Sequence, residues 1–233
     1  IFMAGGGLGR TLGPLLIVWA VASWGLESTW RLMVIGWAAS LVLAWQIMDV
    51  KIPHRNTAPL LGNLPKLRTF FLPLVLILIL RSFFIAVTNT YLPVYMHDSG
   101  APLWIAGASL STLELAGVIG TMLISPFSDS WGRRKTLMAA MAVSSLSLLG
   151  FLQVSGWWII PFLLTLGFSS KSTGAVFLAL VQDHFSDNRA TGNGVFMFLT
   201  FLSNAAMLLV IGFIGDRTGL QTAYVLGVFA AAL

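Results

Sequence analysis

Gly107-Ala108-Ser109-Leu110-Ser111-Thr112-Leu113-Glu114-Leu115-Ala116-Gly117-Val118-Ile119-Gly120-Thr121 is the stretch whose reading settles what kind of chain this is. It forms the middle of an apolar run, 103–126, and a membrane-spanning helix needs about 20 mostly apolar residues. Glu114 stands near the midpoint of that run. A charge at the bilayer centre costs about 2.5 to 3.5 kcal/mol on insertion scales, so residues kept there usually bind or relay something. Arg10, Arg81 and Lys171 occupy the same position in three other apolar runs. The pattern describes an all-α, polytopic membrane protein with a polar pathway through it, and transport is the first expectation.

Composition points the same way. Charged residues are 9% of the chain and apolar residues 57%, against about 25% charged in an average soluble domain. With 233 residues and so little charge, the chain would not stay in water. Cysteine is absent, which removes disulfides and cysteine-based metal sites from consideration. The net charge of +5 is concentrated in loops between apolar runs, as a membrane protein requires, and suggests no nucleic-acid partner. The chain opens apolar at Ile1-Phe2-Met3 and stops inside Ala230-Ala231-Ala232-Leu233, so it reads as an internal piece of a longer protein.

Working outward from 103–126, the predicted spans are 1–24, 31–48, 71–93, 136–154, 157–181, 192–214 and one from 220. Short punctuation such as Asp98-Ser99-Gly100 and Ser155-Gly156 separates them. The long connection 49–70 carries Pro53, Pro59 and Pro65 with Lys51, Arg55, Lys66 and Arg68, and reads as a linker between two bundles. Lys and Arg are enriched in cytoplasmic loops. Loop 49–70 has four, loop 127–135 has Arg133, Arg134 and Lys135, and loop 182–191 has Arg189, all on one side. The other side has only Arg31 and Arg217. Linker 49–70 is therefore expected in the cytoplasm. Trp24, Trp30, Trp45, Trp104, Trp131, Trp157 and Trp158 fall near span ends, where aromatic belts sit.

A short repeat accompanies this layout. Asp129-Ser130-Trp131-Gly132 follows one span and Asp216-Arg217-Thr218-Gly219 follows another three spans later, on the opposite face. An inverted three-helix repeat produces that placement.

Asp129-x-x-Gly132-Arg133-Arg134 resembles the G-x-x-x-D-R-x-G-R-R loop motif of the major facilitator superfamily, in its C-terminal-half copy. Ser125 stands for the first glycine and Ser130 for the first arginine. Gly9-x-x-x-Gly13-Pro14, with Arg10 inside it, is similar to the fifth-helix motif of that superfamily's antiporters, though Ile17-Val18 replaces its trailing glycine pair. The stretch Gly5 to Pro14 looks like the fosmidomycin-resistance-type branch of drug exporters, and Leu178 to Gly219 is similar to bacterial members near it. The resemblance covers the whole chain and implies a partial major facilitator fold, from helix five to most of helix twelve. In that register 1–48 ends the first bundle and 71–233 is the second, six-helix bundle with its last helix cut short. The family's peripheral helices would be 31–48, 136–154 and 220–233, whose interiors hold no ionisable residue. All four membrane charges fall on helices that would line the cavity.

Each candidate residue has two readings. Glu114 lies on a stripe with Gly107, Ser111, Gly117 and Thr121 at three- and four-residue steps. It is either a proton-carrying carboxyl, tuned between burial and a nearby cation, or a structural partner of Arg81 or Lys171. Lys171, in Thr165-Leu166-Gly167-Phe168-Ser169-Ser170-Lys171-Ser172-Thr173-Gly174, lies too deep to snorkel. Its setting suggests a helix that loosens, as broken helices do at transporter sites, with substrate or Glu114 as its contact. Arg81, with Thr88 and Asn89 on nearby faces, suits carboxylate or phosphonate oxygens or an ordering ion pair. Arg10, amid glycines, suits a close contact between bundles. Asp129, Arg133 and Arg134 read as loop residues that orient the chain or latch one state, with Asp129 accepting from a helix N-terminus. Gly5-x-Gly7 follows no strand and marks no nucleotide site. His54, His97 and His184 are scattered through loops and suggest no metal.

The expectation is a secondary active transporter, not an enzyme: proton-coupled efflux of a drug-like or anionic small molecule by alternating access at the midplane. No cofactor is called for; the partners are substrate, protons and the lipid bilayer, and the protein is expected as a monomer in a bacterial or archaeal plasma (inner) membrane. Import of an organic anion or sugar is the alternative within transport. An intramembrane enzyme would need clustered carboxylates or a Ser/His pair near a span end, and the scattered charges disfavour a channel.

Overall fold

The computed structural model describes residues 2–48, 64–185 and 189–232. Among them the chain is helical, with no strand. Helix is what an apolar environment demands, because lipid offers no partner to an unpaired backbone N–H or C=O. Six segments are long and apolar enough to cross a membrane: Leu26–Ile47, Arg68–Thr90, Leu103–Trp131, Arg133–Gln153, Gly156–His184 and Arg189–Thr218. The protein is an integral, multi-pass membrane protein. Most of the linker, 49–63, lies outside the described residues, as does 186–188.

Helix α1 (Phe2–Trp24) leads through a 3-10 segment, Leu26–Leu32, into α2 (Met33–Ile47). Helix α3 (Leu64–Ile85) begins seven residues ahead of the expected span, inside the stretch read as linker. It widens into a π turn at Ala86–Thr90 and continues, after Tyr91, as α4 (Leu92–Asp98). Pro93 explains the break. It has no N–H for the carbonyl of Asn89 and its ring would clash there, so the helix loosens just before it. Then come α5 (Leu103–Trp131), α6 (Arg133–Gln153), α7 (Ile159–His184), α8 (Arg189–Thr218) and α9 (Leu220–Ala232).

Helix α7 is not the broken helix the sequence suggests. It runs unbroken through its Ser/Thr-rich centre, where Ser169, Ser172 and Thr173 donate to carbonyls three or four residues back. Such back-bonding satisfies the hydroxyls inside the helix they belong to. The irregular backbone sits in the π turn after α3 instead.

The loop expected at 127–135 shrinks to one residue. Asp129 is in the last turn of α5, Arg133 and Arg134 open α6, and only Gly132 separates the two helices. Its φ of +98° is left-handed backbone that an L side chain resists. Gly219, φ +86°, is likewise the single residue between α8 and α9. Both arms of the Asp-x-x-Gly repeat therefore make the same corner, with the Asp in the final turn of the incoming helix.

Two apolar clusters fill the bundle formed by α3 to α9. One gathers Phe71, Leu74, Leu78, Val176, Phe177 and Phe196 at the end where α3 begins and α7 stops. The other gathers Phe84, Leu92, Leu113, Leu148, Leu166 and Tyr224 toward the opposite end. A polar layer lies between them at mid-height, with Arg81, Ser82, Glu114, Ser144, Ser169, Ser170, Ser172, Thr173 and Ser203 all buried. Helix α6 turns its serines into this layer, where Ser144 bonds Ser169 at 2.8 Å and Ser145 donates to the Val228 carbonyl of α9 at 2.7 Å. Its other face exposes Met138, Val143 and Leu146 to the surroundings.

Candidate functional site

The polar layer is built around a close seam between α5 and α7. Leu113 lies beside Gly167 and Gly117 beside Lys171, so the two helices run parallel. A Cβ added at Gly167 would collide with the Leu113 carbonyl, and one at Gly117 with the stem of Lys171. Glycine at these positions lets the backbones approach closely. The seam sets Lys171 Nζ to donate to Glu114 Oε1. The two side chains are 12% and 8% exposed. Desolvating such a pair cancels much of its attraction, so a buried ion pair is weak evidence for stability.

Helix α1 brings a second cation to the same height. It runs antiparallel to α5, with Val118 against Gly7 and Val18 against Gly107. That alignment sets Arg10 level with Glu114. Arg10 is exposed, while Thr11 beside it is buried and donates to the Gly7 carbonyl at 3.0 Å. Gly9 and Gly13 face open space, and Pro14 sits inside α1.

Arg81 arrives from α3. Its Nε donates to Thr173 Oγ1 at 3.0 Å and its guanidinium lies 5.7 Å from the centre of the Phe177 ring. Among the described residues it has no carboxylate partner. Both Arg10 and Arg81 are close enough to act electrostatically on Lys171. The four mid-span charges, far apart in sequence, thus meet in one place. Asn89 is not among them. It sits in the π turn, eight residues beyond Arg81 or about 12 Å along the helix, and its Oδ1 is buried without a hydrogen-bond partner among the described residues. Ser111 Oγ and Asn204 Oδ1 share that condition.

A second constellation closes one end of the bundle. Arg133 pairs with Asp129, 2.9 Å away and one turn back, and with Asp183 at the end of α7. Asp129 therefore has a guanidinium partner, where a helix N-terminus was expected. Arg134 is exposed. At the other end Asp216 is exposed and Arg217 stacks over Phe213 at 4.3 Å. Sequence reasoning missed Asp183 and Thr173. Asp183 had a visible signal, an acid in a loop on the same side as Arg133; Thr173 had none beyond its place in the Ser/Thr run.

Comparison with known proteins fits this geometry. The profile of the Major Facilitator Superfamily matches residues 1–208. The chain belongs to the major facilitator superfamily. The chain is also 24% identical to the fosmidomycin resistance protein of Escherichia coli (strain K12) over 241 aligned positions. These take in 100% of this chain and 59% of that protein, so the chain spans about three-fifths of the relative's length.

Proposed function

We propose that the protein is a secondary active transporter that exports a small organic solute, drug-like or anionic, by alternating access and in step with protons. Residues 1–48 supply the last two helices of one bundle, 49–70 the cytoplasmic connection, whose final residues from Leu64 already open α3, and the rest the second bundle, in a bacterial or archaeal inner membrane. The gathering of Arg10, Arg81, Glu114 and Lys171 in one mid-membrane layer carries this reading. Glu114 is the proton carrier, as the carboxyl buried in that layer. Lys171 and Arg81 attract the solute's negative group, and Asn89, further along α3's continuation, offers an amide oxygen that accepts from a donor elsewhere on the solute. The Asp129–Arg133–Asp183 network latches one state of the cycle at the linker end. The bacterial relative's name supports efflux of fosmidomycin or a compound like it.

Import of an organic anion is the second reading, favoured by three cations against one carboxylate in the layer. Fosmidomycin-sensitive cells given the full-length protein separate the two. Export predicts restored growth and lower drug accumulation, both lost in Glu114→Gln at equal membrane abundance. Faster accumulation of the drug would favour import. Unchanged accumulation of it and of a panel of drug-like anions would remove export.

A further inference from the structure

Helix α8 brings no charged residue to the polar layer, yet it carries an amide there. Asn204 follows Ser203, a buried member of the layer. Its Oδ1, like that of Asn89, is buried without a hydrogen-bond partner among the described residues. Buried polar atoms are nearly always hydrogen-bonded, so each exception asks for an occupant. Ser82, Ser111 and Tyr224 have unpartnered hydroxyls too, but those residues are buried whole. Asn89 and Asn204 are half-buried, at the margin of the bundle interior. They also come from elements that face each other. Tyr91, directly after the π turn that holds Asn89, donates to the Leu208 carbonyl at 3.0 Å. Its hydroxyl also lies beside Gly212. Asn204, Leu208 and Gly212 follow at four-residue steps and share one face of α8, so Asn204 looks toward α3 and its π turn. At the other end Phe196 packs with Phe71, Leu74 and Leu78. The two helices therefore run parallel, and Asn204 stands at a height between Arg81 and Asn89.

We propose that Asn204, seconded by Asn89, recognises an uncharged hydroxyl on the solute while the cations of the layer hold its negative group. This rests on the reading of the layer as an anion site. The cations alone select poorly, because an ammonium or guanidinium group accepts carboxylate, phosphonate and sulfonate alike. The amides supply the missing discrimination. A side-chain amide turns about its last bond between two broad orientations, and so presents either its oxygen or its NH2 to a ligand. A hydroxyl both donates and accepts, so it satisfies the amide in either orientation, whereas a methyl group satisfies neither. A site built to bond a hydroxyl rejects the analogue without one, because its own polar atoms are then left unpaired. The fold also fixes where that hydroxyl must lie. Asn89 is about 12 Å beyond Arg81 along the helix and Asn204 is nearer, so the hydroxyl belongs within that distance of the negative group.

The test uses full-length protein in nanodiscs and matched pairs of alkanesulfonates of increasing chain length. One member of each pair ends in a hydroxyl, the other in a methyl group, with the same number of heavy atoms. Calorimetric titration gives both affinities. In the parent the hydroxyl member should bind about tenfold tighter at the chain lengths that reach Asn204, although it is the less hydrophobic of the two. In Asn204→Leu the preference should vanish or invert, with the methyl member bound at least as tightly as in the parent, which also shows the variant to be folded. Asn204→Ala removes the amide without adding bulk and should lose the preference as well. The parent alone gives a further readout that needs no variant: the preference should be confined to chains that place the hydroxyl between the heights of Arg81 and Asn89. Saturable binding with no hydroxyl preference, with a preference indifferent to chain length, or with one that survives in both Asn204 variants overturns the proposal and leaves the anion site standing. No saturable binding of any sulfonate removes the anion site, and the proposal with it.

Discussion

Removing Lys171 alone strands the Glu114 carboxylate in a buried layer. Breaking a buried pair from one side costs about 3–5 kcal/mol, so Lys171→Met should lower the thermal stability of the detergent-solubilised protein strongly at neutral pH. The double variant Lys171→Met/Glu114→Gln should recover most of the stability, since no unpaired charge remains. If the double variant is as unstable as the single one, the pair is not the reason. Thr173 gives a milder case. Thr173→Val deprives the Arg81 Nε of its acceptor, and an unsatisfied buried donor costs about 1–3 kcal/mol. Thr173→Ser keeps the hydroxyl and should unfold close to the parent temperature.

Helix packing sets where these charges can meet, and the α5–α7 seam is the critical contact. Gly167→Ala places a methyl group against the Leu113 backbone, and overpacking of this kind costs about 1–3 kcal/mol. The expected result is a lower unfolding temperature together with weaker coupling between Lys171 and Glu114 in a double-mutant cycle. An unchanged cycle would mean the seam does not position the pair. Much of this was legible in the sequence. Spans 103–126 and 157–181 follow from their apolar length, and Glu114 and Lys171 stand out because charge is expensive there. Their meeting was not legible, because it depends on two glycines, Gly117 and Gly167, far apart in the chain, whose shared purpose shows only when the helices pack. Two local features misled. The Ser/Thr run of α7 looks like a helix breaker until its hydroxyls are seen bonding backwards, while Pro93, the real cause of irregularity, acts one turn ahead of itself on Asn89. Residues 127–135 look like a loop because they are polar, yet one left-handed glycine makes the turn.

For the whole molecule, the distribution of positive charge is the widest-ranging expectation. The Phe70–His184 ring stack at 4.2 Å and the Arg133–Asp183 pair put the start of α3, the α5–α6 corner and the end of α7 at one end of the bundle. Arg68, Arg133, Arg134, Lys135 and Arg189 therefore share that end, with Arg217 at the other. If positive residues face the cytoplasm, single cysteines at Asn56 and Ser99 will report it without background, because the chain has no cysteine of its own. An impermeant thiol reagent added to intact cells should label Ser99→Cys and leave Asn56→Cys untouched; the reverse pattern would invert the topology.

The claim at the centre of this account is that Glu114 ties solute movement to protons, and transport in proteoliposomes tests it most directly. Full-length parent and Glu114→Gln proteins would be compared with and without an imposed pH gradient, at fixed membrane potential. The parent's flux should depend on the gradient, while Glu114→Gln should bind solute and support counterflow but ignore the gradient. If Glu114→Gln follows the gradient as steeply as the parent, Glu114 is a structural ion-pair partner of Lys171 and the proton is carried elsewhere.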